Sequence, residues 1–224
     1  MMYLEQNIKG LCTKHEMHYN DFLADLEVDD VKELTIYDLE AIAEEYGLDL
    51  MGLLFKPLFH AEHIAKKIKD IQFLILDVDG VMTDGGMYWT ESGDQIKKFN
   101  TKDGLGIIGL RKKGFHVGII SSGYTENMVQ KRAELLGISK CYVGQNPKLA
   151  VLKEWCVELG IDLKQVAIIG DDLNDLEVMQ QVGLSACPAD AVNEIKSVCH
   201  IILTSKGGDG CIREFIDAYL NKAH

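Results

Sequence analysis

Four short, almost wholly apolar runs constrain the fold of this 224-residue chain more than any other feature. Each run has the length of a β-strand, and stretches with the spacing of amphipathic helices separate the runs. Strands that are apolar at nearly every position are buried on both faces, as in a parallel sheet covered by helices on two sides. The pattern therefore predicts an α/β fold with a Rossmann-like parallel sheet. The apolar runs are Phe73–Leu76, 117–120, Val166–Ile169 and 201–203, and the helical stretches are 103–113, 125–136, 148–159, 173–182 and 211–220.

The residues before Phe73 have a different composition and a different spacing of apolar residues, which predicts a second domain. Apolar residues from Ile36 to Tyr46 recur at helical spacing before a stop at Gly47. We therefore expect a small all-α segment over residues 1–69 and the sheet domain over residues 70–224.

Acidic residues are concentrated in the N-terminal segment. Residues 1–70 hold 15 Asp and Glu against 7 Lys and no Arg, a net charge of −8, and the remainder holds 20 acidic against 16 basic residues, a net charge of −4. Nucleic-acid binding requires clustered Lys and Arg. Residues 35–54 resemble the last helices of a repressor-type helix-turn-helix domain, but their charge favours a module for assembly or for a protein partner. We expect no nucleic-acid partner.

One segment departs from the alternation of strands and helices. Residues 87–90 and 95–99 have strand-like composition, and residues 91–94 between them contain a glycine typical of a turn. This pattern predicts a β-hairpin directly after the first strand, which would project as a flap. Tyr88 and Trp89 on such a flap are suited to contacts with another subunit.

Two carboxylates, Asp77 and Asp79, follow the first apolar run, and Gly80 allows the chain to turn away. In open parallel sheets the reactive groups lie beyond the carboxyl ends of the strands. Carboxylates at the exit of an apolar strand are costly to keep charged without a compensating cation. A hard divalent cation with oxygen ligands would neutralise them.

A second acidic cluster makes this interpretation specific. Asp171, Asp172 and Asp175 follow the apolar run Val166–Ile169. Because two such clusters end two strands of one sheet, we expect them to meet and to hold Mg²⁺.

Three further polar residues are suited to binding a phosphoryl group. Ser121 and Ser122 end the second apolar run, and Lys148 begins a helix. Taken alone, Ser121 would be read as a helix cap and Lys148 as a surface charge. Beside the two acidic clusters, all three are candidates for binding a phosphoryl group.

The order of these motifs resembles that of the haloacid-dehalogenase-type phosphohydrolases over about residues 71–220. The similarity lies in Asp77-Val-Asp79-Gly with Asp84, in Ser121, in Lys148, and in Gly170-Asp171-Asp172 with Asp175. The absence of a large insertion between the motifs is similar to the capless branch of that family.

This resemblance implies a magnesium-dependent phosphatase that forms an aspartyl-phosphate. Asp77 would be the nucleophile, and Asp79 the general acid and base. Asp77, the backbone carbonyl of Asp79 and Asp171 would bind Mg²⁺, with Asp175 and Asp172 in supporting positions. The family's open sites are completed by neighbouring subunits, which implies a homotetramer.

Further stretches resemble the 3-deoxy-D-manno-octulosonate 8-phosphate phosphatases and their nonulosonate 9-phosphate relatives within that family: 84–87, 98–104, 207–210 and 213–215. The resemblance implies a small phosphorylated sugar acid as substrate, with Lys102, Lys206 and Arg213 as candidates for its carboxylate. Ser121-Ser122-Gly123 differs from the Thr-Gly-Arg or Thr-Gly-Glu of these relatives, so nonulosonate phosphates and general sugar phosphates stay as alternatives. A ligand-sensing regulator with a degenerate helix-turn-helix is the alternative from another class.

Other features bound the cellular context. No apolar run approaches the ~20 residues that span a bilayer, and the first residues lack the layout of a signal peptide. The six cysteines include no CxxC pair and are expected to be small buried residues in a reducing compartment. We therefore expect a cytoplasmic protein with no membrane partner.

Overall fold

The computed structural model describes residues 3–15, 17–55, 58, 60–123 and 126–221. The chain divides into two compact units, Met1–Lys66 and Lys67–His224. The first unit is helical and the second contains the sheet. The assignment of residues 1–69 to a separate functional module remains a prediction.

The first unit packs short helices around its own apolar core. Leu4, Ile8, Leu11 and Leu53 are among the core side chains and are almost completely buried. The buried Asn7 side chain crosses this core, because its Nδ2 donates to the carbonyl of Leu53 at 2.8 Å. The helices are α1 (Leu4–Lys14), α2 (Tyr19–Asp25), α3 (Ile36–Glu45), α4 (Leu50–Phe55) and α5 (His60–Asp70), the last of which continues into the second unit.

The start and end of α3 follow from local chemistry. Thr35 caps the helix by accepting from the backbone N–H of Asp38, and the Asp38 side chain accepts from the backbone N–H of Thr35. This reciprocal arrangement satisfies two donors that a helix start leaves unpaired. Gly47 takes a φ of +63° just beyond the helix, at the stop that the sequence predicts.

The second unit is built on a parallel sheet. The strands are β1 (Phe73–Leu76), β2 (Tyr88–Trp89), β3 (Gln95–Ile96), β4 (His116–Ser121), β5 (Lys140–Val143), β6 (Val166–Ile169), β7 (Leu184–Cys187) and β8 (Ile201–Ile202). Within the described residues, six of them form one sheet in the order β5-β4-β1-β6-β7-β8. Strand β1 lies between β4 and β6, with Phe73 opposite His116 and Val166. The carboxyl ends of these three strands therefore lie side by side.

Helices alternate with the strands, as the sequence predicts, and the α/β class with its parallel sheet is confirmed. They are α6 (Thr101–Lys112), α7 (Glu126–Leu136), α8 (Lys148–Leu159), α9 (Leu176–Gln181), α10 (Asn193–Val198) and α11 (Cys211–Phe215). The predicted helix over 173–182 begins instead with a 3₁₀ turn, Leu173–Asp175, and the one over 211–220 continues past α11 as a wider π turn, Ile216–Leu220. Residue 125, the first of the stretch predicted over 125–136, lies outside the described residues.

One face of the sheet packs on α8, α9 and α10. Phe73 and Ile75 in β1 and Ile168 in β6 contribute to this core, together with Leu152 from α8 and Met179 from α9. Alternate residues of a strand point to opposite faces, so Leu74 and Leu76, which are also fully buried, face the other side. A sheet buried on both faces explains the continuous apolar runs.

Two strands, β5 and β7, are absent from the sequence prediction. Strand β5 lies at the edge of the sheet and its Lys-Cys-Tyr-Val residues are only half-buried. Strand β7 is fully buried but includes Ser185, whose hydroxyl lies 2.7 Å from Nδ1 of His200. Ser185 interrupts the apolar pattern that would have predicted the strand. Its hydrogen bond with a residue 15 positions away compensates for its burial.

The predicted hairpin is present between β1 and α6, although its strands are shorter than the predicted 87–90 and 95–99. Strands β2 and β3 pair in antiparallel fashion, with Tyr88 opposite Ile96 and Trp89 opposite Gln95. Gly93 takes a φ of +87° in the turn. Tyr88, Trp89 and Ile96 are exposed, which agrees with a flap. We call residues 88–98 the flap, with Lys97 and Lys98 at its base.

No helix in the described part of the chain is long and apolar enough to cross a membrane. The six cysteines are free, and four of them are buried. The sulfur atoms of Cys187 and Cys199 lie 3.4 Å apart.

Candidate active site

Neighbouring strands bring the predicted acidic residues to one edge of the sheet. Asp77 directly follows β1, and Asp171 follows β6 after Gly170. The backbone N–H of Asp77 donates to the carbonyl of Ile169 at 3.1 Å, which extends the pairing of the two strands beyond β1. Ser121 ends β4 on the other side of β1. The order of the strands thus places both acidic clusters together with residues 121–123, which we call the serine loop.

Three carboxylates and one ammonium group form the centre of the site. Nζ of Lys148 lies 2.8 Å from Oδ1 of Asp77 and 2.7 Å from Oδ1 of Asp175. The other oxygen of Asp175 accepts from the backbone N–H of Asp171 at 3.1 Å. Oxygen atoms of Asp77, Asp171 and Asp175 lie within 4.8 Å of one another. We call these four residues the carboxylate cluster.

Burial dominates the electrostatics of the carboxylate cluster. It raises the pKa of Asp77 to about 7, with a further contribution from Asp175 and an opposing one from Lys148. It raises the pKa of Asp171 to about 8, together with the nearby charges of Asp77 and Asp175. Burial disfavours the Lys148 ammonium, but Asp77 and Asp175 outweigh it and raise the pKa of Lys148 overall. One ammonium group is therefore too little positive charge for three ionised carboxylates.

The donor set of the carboxylate cluster fits a hard divalent cation such as Mg²⁺. Oδ1 of Asp171 is buried and has no hydrogen-bond partner among the described residues, which leaves it available as a ligand. Asp77 uses one oxygen for Lys148. Asp175 uses both oxygens, for Lys148 and for the backbone of Asp171. Asp77 and Asp171 are thus the better ligands, and Asp175 is the better support.

Two glycines allow the close approach that the carboxylate cluster requires. A β-carbon on Gly80 would lie 2.0 Å from Oδ2 of Asp171, and Gly80 takes a φ of +87°. A β-carbon on Gly170 would lie 2.4 Å from Cγ of Asp175. Side chains at either position would displace a carboxylate.

Asp79 points away from the carboxylate cluster and toward the flap and the serine loop. Oδ1 of Asp79 forms an ion pair with Nζ of Lys97. A β-carbon on Gly123 would lie 3.2 Å from Oδ2 of Asp79 and 3.1 Å from Oγ of Ser121. The backbone N–H of Gly123 donates to that Oγ at 3.0 Å. The side chains of Asp79 and Ser121 therefore border the same space. Ser122, beside it, is half-buried, and its carbonyl accepts from Nε2 of Gln145.

The side chains of the remaining predicted site residues form no hydrogen bond or ion pair with the carboxylate cluster in the described part of the chain. Asp172 is exposed, and its side chain caps the turn that starts at Leu173. Lys102 and Lys206 are exposed, and neither forms an ion pair among the described residues. Arg213 is 43% exposed and pairs with Asp217 on the same helical turn. Roles for these residues in substrate binding stay predictions.

Sequence reasoning does not single out Lys97 or Asp103. Lys97 occurs in a Lys-Lys pair, where each lysine looks like a solvated charge. Asp103 is buried, and its Oδ1 accepts from the backbone N–H of Arg213 at the start of α11. Burial raises the pKa of Asp103, while backbone donors of α11 oppose the rise. Both contacts join distant parts of the chain, so local patterns carry no signal for them.

Gly207 and Gly208, in the loop after β8, pack against the turn that follows β1. Gly208 donates through its backbone N–H to the carbonyl of Val81, and its carbonyl accepts from Nδ2 of Asn100 at 3.1 Å. A β-carbon on Gly207 would lie 1.9 Å from the carbonyl oxygen of Gly80. This loop therefore packs directly against the turn that follows Asp77 and Asp79.

Comparison with known proteins agrees with this geometry. A family model described as haloacid dehalogenase-like hydrolase matches residues 136–215. The chain is 41% identical to the 3-deoxy-D-manno-octulosonate 8-phosphate phosphatase of Yersinia pestis over 160 residues, which are 71% of this chain and 85% of that protein. The Escherichia coli K12 enzyme of the same name is 38% identical over 157 residues, 70% of this chain and 83% of that protein.

Solved structures give the same result. The Yersinia pestis phosphatase is 39% identical, with a TM-score of 0.69 over 72% of this chain and 89% of that one. A phosphatase of the same name from Moraxella catarrhalis, solved with a magnesium ion, a phosphate ion and a KDO molecule, is 36% identical. Its TM-score is 0.70 over 74% of this chain and 94% of that one.

Proposed function

We propose, from the premise that this chain belongs to the haloacid dehalogenase-like hydrolases, that it is a Mg²⁺-dependent phosphatase of a small sugar-acid phosphate. We take 3-deoxy-D-manno-octulosonate 8-phosphate as the substrate, because the relatives from Yersinia pestis and Escherichia coli K12 are named for it. The magnesium ion, phosphate ion and KDO molecule in the Moraxella catarrhalis structure support both the cofactor and the substrate class.

The single observation that carries the proposal is the buried carboxylate cluster at the ends of β1 and β6. Asp77 is held by Lys148 at 2.8 Å, and Asp171 beside it has a buried oxygen with no hydrogen-bond partner among the described residues. A lysine beside the attacking carboxylate offsets negative charge on a phosphoryl group bound there, and stabilising that charge is the main requirement of phosphoryl transfer. When bound, Mg²⁺ supplies further positive charge at Asp77 and Asp171.

In the first step of the proposed reaction, a carboxylate oxygen of Asp77 attacks phosphorus in line with the sugar oxygen. The new oxygen–phosphorus bond forms as the ester bond breaks, and Asp79 donates a proton to the leaving alkoxide. Lys148 and Ser121 hold the phosphoryl oxygens. The product is an aspartyl-phosphate at Asp77 and a free sugar acid.

In the second step, water attacks the phosphorus of the aspartyl-phosphate. Asp79 now accepts a proton from that water, the bond to Asp77 breaks, and inorganic phosphate leaves. Asp79 thus returns to its starting protonation state, and Asp77 to its carboxylate. One residue can serve both steps because it borders the same space as Ser121.

A phosphate-release panel tests the proposal. With Mg²⁺ present, the chain should release phosphate fastest from octulosonate 8-phosphate, compared with nonulosonate 9-phosphates, hexose phosphates and nucleotides. A preference for a nonulosonate 9-phosphate would support the alternative substrate. Ser121-Ser122-Gly123 carries no charged side chain that could select between the two sugar acids. No release from any of these esters would refute the proposed function.

The proposed enzyme is a homotetramer in which flaps of neighbouring subunits cover one another's sites. Support comes from the exposure of Tyr88 (49%) and Trp89 (61%) on the flap, because large exposed aromatic side chains are costly unless a partner covers them. Light scattering on the active protein tests this part. A monomer with full activity would contradict it.

Residues 1–69 serve in this proposal as a helical module for assembly or for a protein partner. Support comes from their own apolar core and from their acidic charge, which disfavours nucleic acid. Retention of the chain on a DNA column that weakens with salt would contradict this assignment.

A further inference from the structure

Two adjacent lysines at the base of the flap differ in burial and in partner. Lys97 and Lys98 follow β3 directly. The Lys97 side chain is only 6% exposed, and its Nζ donates to Oδ1 of Asp79. The Lys98 side chain is 67% exposed, and its Nζ lies 3.4 Å from Asp84. Burial of a lysine requires a partner for its charge, so the pairing of Lys97 with Asp79 is a specific feature of the fold.

The Lys97 contact determines where the other oxygen of Asp79 lies. Oδ2 of Asp79 would be 3.2 Å from a β-carbon on Gly123, and Oγ of Ser121 would be 3.1 Å from the same point. With Oδ1 held by the flap, Oδ2 is therefore turned toward the loop that is proposed to bind the phosphoryl group. A rotation of the carboxylate would break the ion pair of Oδ1 with Lys97 or move Oδ2 away from the serine loop.

Burial alone does not fix the position of Asp79. Its side chain is 42% exposed, and it precedes Gly80, which takes a left-handed φ of +87°. A half-exposed carboxylate samples several rotamers unless a partner selects one. Among the described residues, Lys97 is the cation that pairs with it.

We propose that Lys97 is a positioning residue for Asp79, holding one carboxylate oxygen so that the other faces the leaving group of the substrate. The inference rests on the proposed function and deepens it, because it gives the flap a direct part in the reaction. A general acid must stand within hydrogen-bond reach of the atom that it protonates, and misplacement by about 1 Å lowers the rate severely. The flap would thus supply an orienting charge as well as cover.

The adjacent lysines provide matched variants for the test. Lys97→Met keeps the length of the side chain and removes the charge, Lys97→Arg keeps the charge, and Lys98→Met is the control one residue away. With Mg²⁺ and the best substrate of the panel, we expect Lys97→Met to lower kcat by about 10- to 100-fold with little change in KM. Lys97→Arg should recover most of the loss, and Lys98→Met should retain wild-type kcat.

A purely structural role for Lys97 predicts a different result. Loss of the flap would lower thermal stability and raise KM while leaving kcat near the wild-type value. That outcome would overturn the inference, as would full activity of Lys97→Met. Thermal unfolding and circular dichroism of the three variants separate loss of fold from loss of rate.

A double variant shows whether Lys97 acts through Asp79. Added to Asp79→Asn, Lys97→Met should change the residual rate by less than about twofold, because the side chain that it orients can no longer donate or accept the proton. A further tenfold loss would place its action elsewhere and overturn the inference. The two proposals fail differently: an inactive wild-type protein overturns both, whereas an active wild type with an equally active Lys97→Met overturns only the role of Lys97.

Discussion

Carboxylates are abundant in both units of this protein, and a surface carboxylate of the first unit and a buried one of the second show opposite shifts in pKa. In the first unit, Asp38 lies on the surface in the capping box of α3, and hydrogen bonds from the Thr35 side chain and backbone lower its pKa. In the second unit, burial raises the pKa of Asp77 to about 7. The number of acidic residues therefore does not mark a site. Convergence of several buried carboxylates on one point does.

The origin of this difference lies in chain topology. The acidic residues of the first unit act within one helical turn, as in the cap at Asp30 and the ion pair of Glu5 with Lys9 four residues later. Asp77 and Asp171 are 94 positions apart in sequence and meet because β1 and β6 are neighbours in the sheet. The local contacts of the first unit begin and end helices. The long-range contact of Asp77 with Asp171 instead brings negative charges close together, and a bound cation can offset their repulsion.

The largest expected effect comes from removing the proposed nucleophile. Asp77→Asn should lower phosphatase activity by about 10⁴-fold or more, because an amide cannot form the acyl phosphate. Circular dichroism should show an intact fold, since asparagine has the same shape. Asp162→Asn is the matched control: Asp162 caps the turn before β6, at the opposite end of the strand from Asp171, and its substitution should leave activity within about twofold. Substantial turnover by Asp77→Asn would exclude the covalent route.

The next effect is the dependence of metal binding on pH. Asp77 and Asp171, with pKa values raised to about 7 and about 8, must lose protons before they can bind a cation. Mg²⁺ affinity should therefore rise at least about tenfold between pH 6 and pH 8. Calorimetric titration in buffers of different ionisation enthalpy measures the affinity and the protons released. An affinity that is independent of pH would contradict the raised pKa values.

The raised pKa values of Asp77 and Asp171 also predict how the stability of the second unit changes with pH. Because their pKa values are raised on folding, the stability they contribute is present below about pH 4 and is lost as the pH rises through about 7 and 8. In the presence of a chelator, we expect the thermal midpoint of the second unit to fall from pH 6 to pH 8. Added Mg²⁺ should restore it most strongly at pH 8. Asp38 should act in the opposite direction, because its pKa is lowered.

Much of the fold and the centre of the site could be predicted from sequence because each signal is local. The runs that became β1 and β6 are apolar at every position, and each is followed closely by aspartates. Parallel pairing then brings the two acidic ends together without further information. The hairpin was also predicted, from its composition and its glycine turn.

What could not be predicted depends on contacts between distant residues. Asp171 and Asp172 are identical neighbours in sequence, but one enters the carboxylate cluster and the other faces solvent as a helix cap. Lys97 and Lys98 differ in the same way, because only one reaches Asp79. Strand β7 contains a buried serine that a histidine compensates. Such choices follow from packing, which periodicity does not encode.

A smaller effect on activity is expected from damage to the core of the first unit. Leu53→Ala removes a fully buried side chain and should lower the free energy of unfolding of that unit by about 2–5 kcal/mol. Met51→Ala, two residues earlier on α4 and 59% exposed, is the control and should change it little. If the carboxylate cluster is complete within the second unit, kcat stays within about twofold in both variants. A loss of kcat confined to Leu53→Ala would show that catalysis depends on the helical unit.

The smallest expected effect tests whether acidic residues of the first unit serve only local structure. Thr35→Ala removes one half of the capping box of α3, so the thermal midpoint of that unit should fall by a few degrees while kcat and Mg²⁺ affinity stay unchanged. Thr35→Ser, which keeps the hydroxyl, should restore the midpoint. The loss should also be smaller at low pH, because the stability that Asp38 gains from its lowered pKa disappears once the carboxyl is protonated. A change in Mg²⁺ affinity in Thr35→Ala would contradict the separation, since it would mean that a surface cap in one unit alters the charge of the carboxylate cluster in the other.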